Sequence, residues 1–310
     1  MAHHLYVIGN GFDKHHDIPS GYQDYRKWLR DNQQWNFILE IIDNLFGDSS
    51  DDLWSNFEEN LASIETLRIA IEKTSENYPD FGSDDFRDRD WYTAELSVEQ
   101  YIKNGVAAIR NSFREWIKSL PKGNSCKMIK LNREQSLFLS FNYTETLESI
   151  YKIPATRIIH IHGNAHYDDE LVIGHGKTYR DIERLMGERI EEGDYVFQRA
   201  KDAAVCGVLS IRKPIDIIIK KNENWFNSLF DITNIHIYGS SLSDIDMPYF
   251  KKIFSIINKN NINIEVNAYN DNDKQKIKVI MDSEQISSSN YQIVDLVDLQ
   301  YVKELCLKFF

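Results

Sequence analysis

Short apolar runs recur along the chain, separated by long stretches in which apolar residues repeat with helical spacing. The short runs are rich in β-branched and aromatic residues, which is typical of buried strands. They cover residues 5–8, 137–141, 157–162, 235–238, 264–267 and 291–294. Apolar residues spaced i, i+3 and i+4 predict helices over residues 35–46, 53–73 and 96–119.

Four other segments are patterned less regularly. Residues 75–91 are acidic and turn-prone, which indicates a solvated loop, with a metal-binding loop as the alternative. Residues 179–195 are charged and amphipathic. Residues 215–219 are apolar enough to form either a strand or a buried helix. Residues 297–310 predict a final helix.

The alternation of strands and helices indicates the fold class. Because strands that alternate with helices pair in parallel, we predict an α/β protein with a mostly parallel, Rossmann-like sheet. We expect one domain over residues 1–310, with helical insertions at about 30–130 and 177–225. These insertions would form a helical subdomain or lid beside the ligand crevice.

Charge and cysteine content limit the partners and the compartment. The 310 residues carry a formal net charge of −12, so the overall field repels nucleic acid and anionic membranes. No apolar run reaches membrane-spanning length, and the N-terminus lacks the apolar stretch of a signal peptide. Three widely spaced cysteines, Cys126, Cys206 and Cys306, suit a reducing compartment. We therefore expect a cytoplasmic protein without membrane or nucleic-acid partners.

Polar residues stand at the ends of two predicted strands. Asn142 follows the run 137–141, and His162 ends the run 157–162, immediately before Gly163. In an open α/β sheet the carboxyl ends of the strands line the ligand crevice. Asn142 and His162 are therefore candidate site residues.

A glycine-rich turn follows the first predicted strand. Gly9, Asn10 and Gly11 stand between that strand and a helix, an arrangement in which backbone N–H groups face a phosphate. Lys14 occupies the position of the third glycine in the dinucleotide-binding pattern, so the pattern is half present. Both a phosphate cradle and an ordinary tight turn fit these residues.

A third strand end carries small residues. Gly239 and Ser240 follow the run 235–238 and suit close approach of the backbone to a ribose or phosphate. Ser243 predicts the cap of the next helix. Ser20 predicts a capping box after the glycine-rich turn.

Six short motifs occur in a distinctive combination along the chain. Five of them are Gly9-Asn-Gly-Phe-Asp13, Phe141-Asn-Tyr-Thr144, His160-Ile-His-Gly163, Gly174-His-Gly176 and Tyr238-Gly-Ser-Ser241. The sixth is Leu53-Trp-Ser-Asn-Phe-Glu58. The set resembles the abortive-infection AbiH family of bacterial anti-phage proteins. This resemblance covers most of the chain and implies a role in defence against phage.

More distantly, the same motifs are similar to the sirtuin-like NAD-binding fold. That similarity implies hydrolysis of the N-glycosidic bond of NAD, which releases nicotinamide and ADP-ribose. Asn142 would hold a ribose hydroxyl or a water molecule, because an amide both donates and accepts hydrogen bonds. His162 would act as a base or orient the ribose.

The resemblance also assigns residues to nucleotide binding. They are Gly9, Asn10, Gly11, Asp13, His175, Gly239 and Ser240. The first three would lie against the pyrophosphate, and the last two beside the adenosine half. Asp13 would face ribose hydroxyls or cap a helix, and His175 would line the nicotinamide side or be an ordinary loop histidine. Glu58 would either enter the site or form a surface salt bridge.

Two other functions stay open. His160 and His162 are two residues apart on a predicted strand and so point to the same face, which suits a zinc- or manganese-dependent phosphohydrolase or nuclease. His160 also fits a buried core histidine. Three cysteines cannot form the four-cysteine zinc module of deacetylase sirtuins, and we expect NAD chemistry without a metal. A sensor that binds a nucleotide without turnover is the third hypothesis.

The sequence as a whole favours an NAD hydrolase of abortive infection. Infection would then trigger depletion of NAD, so the resting enzyme has to be inhibited, either by the helical insertions or in a homo-oligomer. The expected partners are NAD or a related nucleotide and a phage-derived trigger, whose nature the sequence does not identify.

Overall fold

The six apolar runs become strands of one sheet in the computed structural model, which describes residues 2–47, 50–185 and 194–300. The strands are β1 (His4–Ile8), β2 (Ser136–Ser140), β3 (Ile158–His160), β4 (Asn234–Tyr238), β5 (Asn263–Asn267) and β6 (Tyr291–Val294). All neighbouring strands are parallel, in the order β3-β2-β1-β4-β5-β6. This is the Rossmann strand order, and the predicted α/β class with a mostly parallel sheet is confirmed.

The central strands end together at one edge of the sheet. Ile8, the last residue of β1, pairs with Ser140 of β2 on one side and with Tyr238 of β4 on the other. Because these strands are parallel, the segments that follow them leave the sheet at the same place. We call this place the carboxyl edge.

The chain divides into two compact units, each made of separate stretches of sequence. The sheet unit comprises Met1–Gly21, Ile117–Val172 and Pro214–Phe310, and the helical unit comprises Tyr22–Trp116 and Ile173–Lys213. Within the described ranges, no helix is both long enough and apolar enough to cross a membrane.

Helices pack on the sheet because its residues alternate between two apolar faces. The helices of the sheet unit are α1 (Asn10–His15), α8 (Thr146–Ser149), α11 (Ile215–Lys221), α12 (Glu223–Asn227), α13 (Met247–Ile256) and α14 (Asp271–Ser283). Leu5 and Val7 share a core with residues of α11 to α14. Tyr6 and Ile8 face the other side, in a smaller core with Phe12 of α1.

The helical unit is built around aromatic side chains. Its helices are α2 (Tyr22–Asp31), α3 (Phe37–Phe46), α4 (Asp51–Ser55), α5 (Phe57–Asn60), α6 (Thr66–Glu76), α7 (Thr93–Ser119, whose last three residues belong to the sheet unit), α9 (Tyr179–Leu185) and α10 (Tyr195–Leu209). Tyr25 is fully buried, and its ring contacts those of Trp54, Phe57, Phe113 and Trp116. Burial of such large rings stabilises the packing of these helices.

Several predicted elements have different bounds in the structure. The helix predicted over 53–73 is interrupted, because Asn56 leaves helical geometry with φ −131° and ψ 51°. Segment 215–219, which the sequence allowed to be a strand or a helix, is helical and forms part of α11. Strand β3 stops at His160, two residues early, because the chain turns there and the Gly163 N–H donates to the His160 carbonyl.

Both predicted serine caps are wrong. Helix α2 begins at Tyr22, and the Ser20 hydroxyl donates to Asn10 Oδ1 at 2.5 Å. Helix α13 begins only at Met247, and the Ser243 hydroxyl donates to Asp246 Oδ2 at 3.1 Å. In both places a side-chain acceptor lies close enough to take the hydrogen bond from the hydroxyl.

The segment predicted as a final helix is mostly undescribed. Residues 297–299 form a turn, and Gln300 makes an isolated antiparallel bridge with Ile129. Residues 301–310, like residues 186–193 of the predicted stretch 179–195, lie outside the described residues.

Candidate functional site

The strand order itself places a crevice at the carboxyl edge. β1 lies between β2 and β4, so the chain direction across the sheet reverses beside β1. Ligands of open α/β sheets bind outside the carboxyl ends of the strands at such a switch point. The structure brings three predicted site residues together here. Asn142 Nδ2 donates to the Gly9 carbonyl at 3.1 Å, and the Gly239 carbonyl accepts a hydrogen bond from the backbone two residues after Gly9.

The glycines at the switch point allow two backbones to touch. The Gly9 N–H donates to the Tyr238 carbonyl at 2.9 Å, and the Gly11 N–H donates to the Gly239 carbonyl at 2.8 Å. A Cβ at Gly239, where φ is +69°, would lie 2.0 Å from the Phe12 nitrogen. The structure thus gives these glycines a packing role that no larger residue can fill.

The glycine-rich turn that was predicted to hold a phosphate is helical. Asn10 already begins α1, so the glycine-rich turn is the first turn of a helix. Asn10 is exposed, whereas the N–H groups of Gly9 and Gly11 are occupied by protein carbonyls. Contact of Gly9, Asn10, Gly11, Gly239 and Ser240 with a nucleotide stays a prediction.

Asp13 is the centre of a buried polar network. Its side chain is 1% exposed, and its two oxygens accept hydrogen bonds of 2.6 Å from the hydroxyls of Thr144 and Thr146. Burial raises the pKa of Asp13 to about 6, although hydrogen bonds from both threonines and Asn142, and the charge of His160, oppose the shift. A carboxyl with this pKa changes charge close to physiological pH.

The two threonines were given no role in the prediction. Thr144 and Thr146 follow β2, near the start of α8, and both are buried. Thr144 belongs to the motif Phe141-Asn-Tyr-Thr144, but nothing in the local sequence shows that it or Thr146 meets Asp13. Only the folded chain brings the two hydroxyls to Asp13, which follows β1.

His160 lies in a second polar group at the same edge. Its Nε2 is 2.8 Å from Glu148 Oε1, and its Nδ1 is 3.3 Å from the Asn142 carbonyl. The Tyr167 hydroxyl donates to the same Glu148 oxygen at 3.4 Å. Only 8% of the His160 side chain and 14% of the Glu148 side chain are exposed. Glu148 is therefore a further polar residue of the edge that the sequence did not single out.

His162 occupies an aromatic environment instead. It is 2% exposed, and its ring contacts the rings of Phe141, Tyr143 and Tyr249. Its Nε2 lies 3.8 Å from Asp246 Oδ1, just before α13. Asp246 and Tyr249 are distant from His162 in sequence, which explains why they were not predicted as its neighbours.

The two histidines of the metal hypothesis have different partners. His160 pairs with Glu148, whereas His162 lies among aromatic rings beside Asp246. Across residues 2–47, 50–185 and 194–300, no three or more His, Cys, Asp and Glu side chains form a group that could hold a metal ion.

The remaining predicted residues, His175 and Glu58, lie in the helical unit. His175 is fully buried, its Nε2 lies 3.0 Å from the Val208 carbonyl, and its Nδ1 accepts from the Lys177 N–H at 3.1 Å. Burial lowers the pKa of His175. Glu58 Oε2 is 2.7 Å from Lys213 Nζ, and the lysine side chain is 1% exposed. Glu58 thus pairs with a buried cation, and its partner is not at the surface.

A small cleft opens at the carboxyl ends of β5 and β6. Its volume is about 150 Å³, and Lys14, Asn267, Tyr269 and Asp295 are among the residues that line it. The Tyr269 hydroxyl donates to the Gly11 carbonyl at 2.8 Å. The cleft is thus linked to the glycine-rich turn at the switch point.

These features define an α/β protein with a Rossmann-ordered parallel sheet and a polar, largely buried carboxyl edge. Comparison with models of protein families identifies its family. The model of the family described as Bacteriophage abortive infection AbiH matches residues 5–268, which is most of the chain, and the chain belongs to this family. The AbiH prediction is confirmed, whereas the sirtuin likeness stays a prediction. No curated protein and no solved structure matches the chain.

Proposed function

We propose that this protein acts in abortive infection by hydrolysing the N-glycosidic bond of NAD, with release of nicotinamide and ADP-ribose. The supporting observation is the position of Asn142 beside Gly9 at the switch point of a Rossmann-ordered sheet. This is where α/β sheets of this order bind dinucleotides. Membership of the AbiH family supports the role in phage defence.

The surroundings of Asn142 orient its amide. Its Nδ2 donates to the Gly9 carbonyl, and Asn142 also donates to the carboxyl of Asp13. With the amide nitrogen directed at these protein acceptors, the amide oxygen is the atom that would accept a hydrogen bond from a ribose hydroxyl or a water molecule. Asn142 would thereby position the reacting ribose or the water.

The chemistry requires little acid catalysis. The ring nitrogen of the nicotinamide is cationic in NAD, so nicotinamide leaves readily, and the main demand is to stabilise the positive charge that develops on the ribose. An imidazole near neutral pH suits activation of the water. His162 would supply it once the substrate reaches the ring.

The burial of His162 favours a resting state that is inhibited. Its ring is 2% exposed among Phe141, Tyr143 and Tyr249. A substrate would contact it only after these rings move apart, which a trigger of infection would have to cause. The same burial favours the second candidate function, a sensor that binds a nucleotide at the carboxyl edge and leaves it intact.

The decisive experiment measures release of nicotinamide and ADP-ribose from NAD by the purified protein. Because His162 is buried at rest, we expect slow turnover by the wild type that a chelator does not inhibit, and a further loss of about a hundredfold or more in both Asn142→Ala and His162→Ala. His166→Ala is the matched control, because His166 is exposed and only four residues from His162.

Other results would redirect the assignment. Binding of NAD without release of nicotinamide, with a binding affinity reduced by Asn142→Ala, would support either the sensor or an enzyme that is inhibited at rest. Neither binding nor turnover would overturn the NAD proposal for the isolated protein. Nuclease or phosphohydrolase activity abolished by a chelator would then support the metal alternative.

A further inference from the structure

Six aromatic side chains form a connected group on the helical unit. They come from the acidic segment that follows α6, the short 3₁₀ helix Asp88–Tyr92, and the start of α10. We call this group the aromatic patch. Its members are Tyr78, Phe81, Phe86, Trp91, Tyr92 and Tyr195.

Five of the six rings contact one another in a continuous chain, and the sixth, that of Tyr92, is joined to them through Arg199. Phe81 is the centre, with ring centroids 5.8 Å from Tyr78, 5.4 Å from Phe86 and 4.7 Å from Trp91. Trp91 in turn lies 5.9 Å from the ring of Tyr195. These separations are those of mutually stabilising aromatic pairs, so the rings present one coherent surface.

This surface is open to solvent. Tyr78 is 50% exposed, Phe81 46%, Tyr92 42% and Tyr195 55%. Single exposed apolar side chains are ordinary, but contiguous aromatic exposure is typical of sites where proteins bind partners. Tyrosine, tryptophan and arginine are also the residues that contribute most binding energy at interfaces.

An arginine holds one end of the patch in place. The guanidinium of Arg199 lies 4.5 Å from the ring centre of Tyr92 and 5.5 Å from that of Tyr195. Arg199 Nε donates to Glu95 Oε2 at 2.6 Å. These contacts fix two of the exposed rings before any partner arrives, which reduces the entropy lost on binding.

The charge around the patch determines the kind of partner that fits. Residues 80–90 contain five aspartates and two arginines, a net charge of −3. Asp84, Asp85 and Asp88 are exposed, and they flank Phe86 in the sequence. Such a surface repels nucleic acid and a second copy of a chain whose net charge is −12, and it attracts a positively charged segment.

We propose that the aromatic patch is a docking surface for a positively charged protein segment that carries apolar side chains. The apolar side chains would pack on the rings of Phe81 and Tyr195, and lysine or arginine side chains would pair with the aspartates and lie over ring faces. Charge would direct the encounter, and ring contacts would select the apolar partner over a merely basic one.

The test compares two synthetic peptides of equal charge, one alternating lysine with leucine and one alternating lysine with serine. Binding of the labelled peptides to the full-length protein is followed by fluorescence anisotropy. We expect the wild type to bind the leucine peptide about tenfold more tightly than the serine peptide, a difference of about 1.4 kcal/mol.

Variants separate the two contributions. Phe81→Ser and, independently, Tyr195→Ser should abolish the preference for the leucine peptide. Asp84→Lys together with Asp85→Lys should weaken binding of both peptides about tenfold or more. Asp216→Lys with Ile217→Ser is the matched control, because both residues are exposed on the sheet unit, and it should leave both affinities within about twofold.

Three results would overturn the proposal. They are equal affinity of the wild type for the two peptides, an equal loss of affinity in the control variant, and self-association of the wild type that Phe81→Ser removes. The last result would show that the patch binds a second copy of the chain. Circular dichroism of each variant confirms that it is folded.

Discussion

Two acidic side chains, Asp13 in the sheet unit and the 16% exposed Glu58 in the helical unit, are stabilised in different ways. Asp13 in the sheet unit accepts hydrogen bonds from the neutral hydroxyls of Thr144 and Thr146. Glu58 in the helical unit pairs with the buried ammonium of Lys213. Hydroxyl donors do not compensate for the desolvation of Asp13, and its pKa rises to about 6. The carboxyl at the proposed site can therefore change charge near neutral pH, whereas the ion pair of the helical unit serves stability.

Replacing the buried Lys213 should have the largest effect on stability. Lys213→Met leaves the largely covered Glu58 without the ammonium that lies 2.7 Å away, and the free energy of unfolding should fall by about 3 kcal/mol. Urea unfolding followed by tryptophan fluorescence measures this change. Replacing both partners, with Glu58→Leu added, should recover much of the loss. A double variant no more stable than Lys213→Met would show that the pair does not act as a unit.

The second prediction concerns the pH dependence of Asp13. Its folded pKa of about 6 lies above its ordinary value of 3.8, so the folded state binds the proton more tightly than the unfolded state. The stabilisation is full below the ordinary value and is lost as the pH rises through about 6. The shift of roughly two units corresponds to about 3 kcal/mol.

The variant Asp13→Asn lacks this titration. The stability of the wild type relative to Asp13→Asn should therefore decrease by about 2.4 kcal/mol between pH 4 and pH 7, since part of the roughly 3 kcal/mol is already lost at pH 4. Hydrogen exchange of the β1 and β2 amides measures the opening free energy of this region. A difference that stays constant over this pH range would contradict the raised pKa.

A smaller effect is expected from one hydroxyl of the Asp13 network. Thr146→Val removes a donor 2.6 Å from the carboxylate, and stability at pH 7 should fall by about 2 kcal/mol. At pH 4 the loss should be smaller, because the carboxyl is then protonated. Thr146→Ser keeps the hydroxyl and serves as the control. Equal losses in the valine and serine variants would assign the effect to packing.

The smallest effect is expected one residue away from Glu58. Lys177 Nζ lies 3.7 Å from Glu59 Oε1, and the two side chains are 44% and 54% exposed. Lys177→Met should change the free energy of unfolding by less than about 0.5 kcal/mol, because exposed ion pairs contribute little. A loss comparable to that of Lys213→Met would mean that burial is not what distinguishes the two pairs.

Much of the fold could be predicted because its elements leave local patterns. Apolar runs ending at Gly9 and Gly239 identified the strands on both sides of the switch point. The interruption at Asn56 could not be predicted, because the apolar spacing on either side of it still faces one core. The ends of β3 and the start of α13 depended on hydrogen bonds formed only in the folded chain.

The candidate site could be predicted only in part. Strand ends indicated that Asn142 would line the crevice at the carboxyl edge, and in the structure it donates to the Gly9 carbonyl there. The partners Thr146 and Asp246 were missed, because each meets its neighbour across a long separation in sequence. His175 lies in the helical unit with both ring nitrogens in contact with backbone groups of that unit.

The sequence by itself determined the parallel α/β class and the AbiH family, since both depend on short motifs and on the spacing of apolar residues. Only the tertiary structure decided that Glu58 pairs with a cation and that Asp13 accepts hydrogen bonds from hydroxyl groups. Desolvation and hydrogen bonding depend on side chains that the fold brings together from distant positions. The pKa of Asp13 and the burial of His162 are therefore properties of the folded chain that no local pattern encodes.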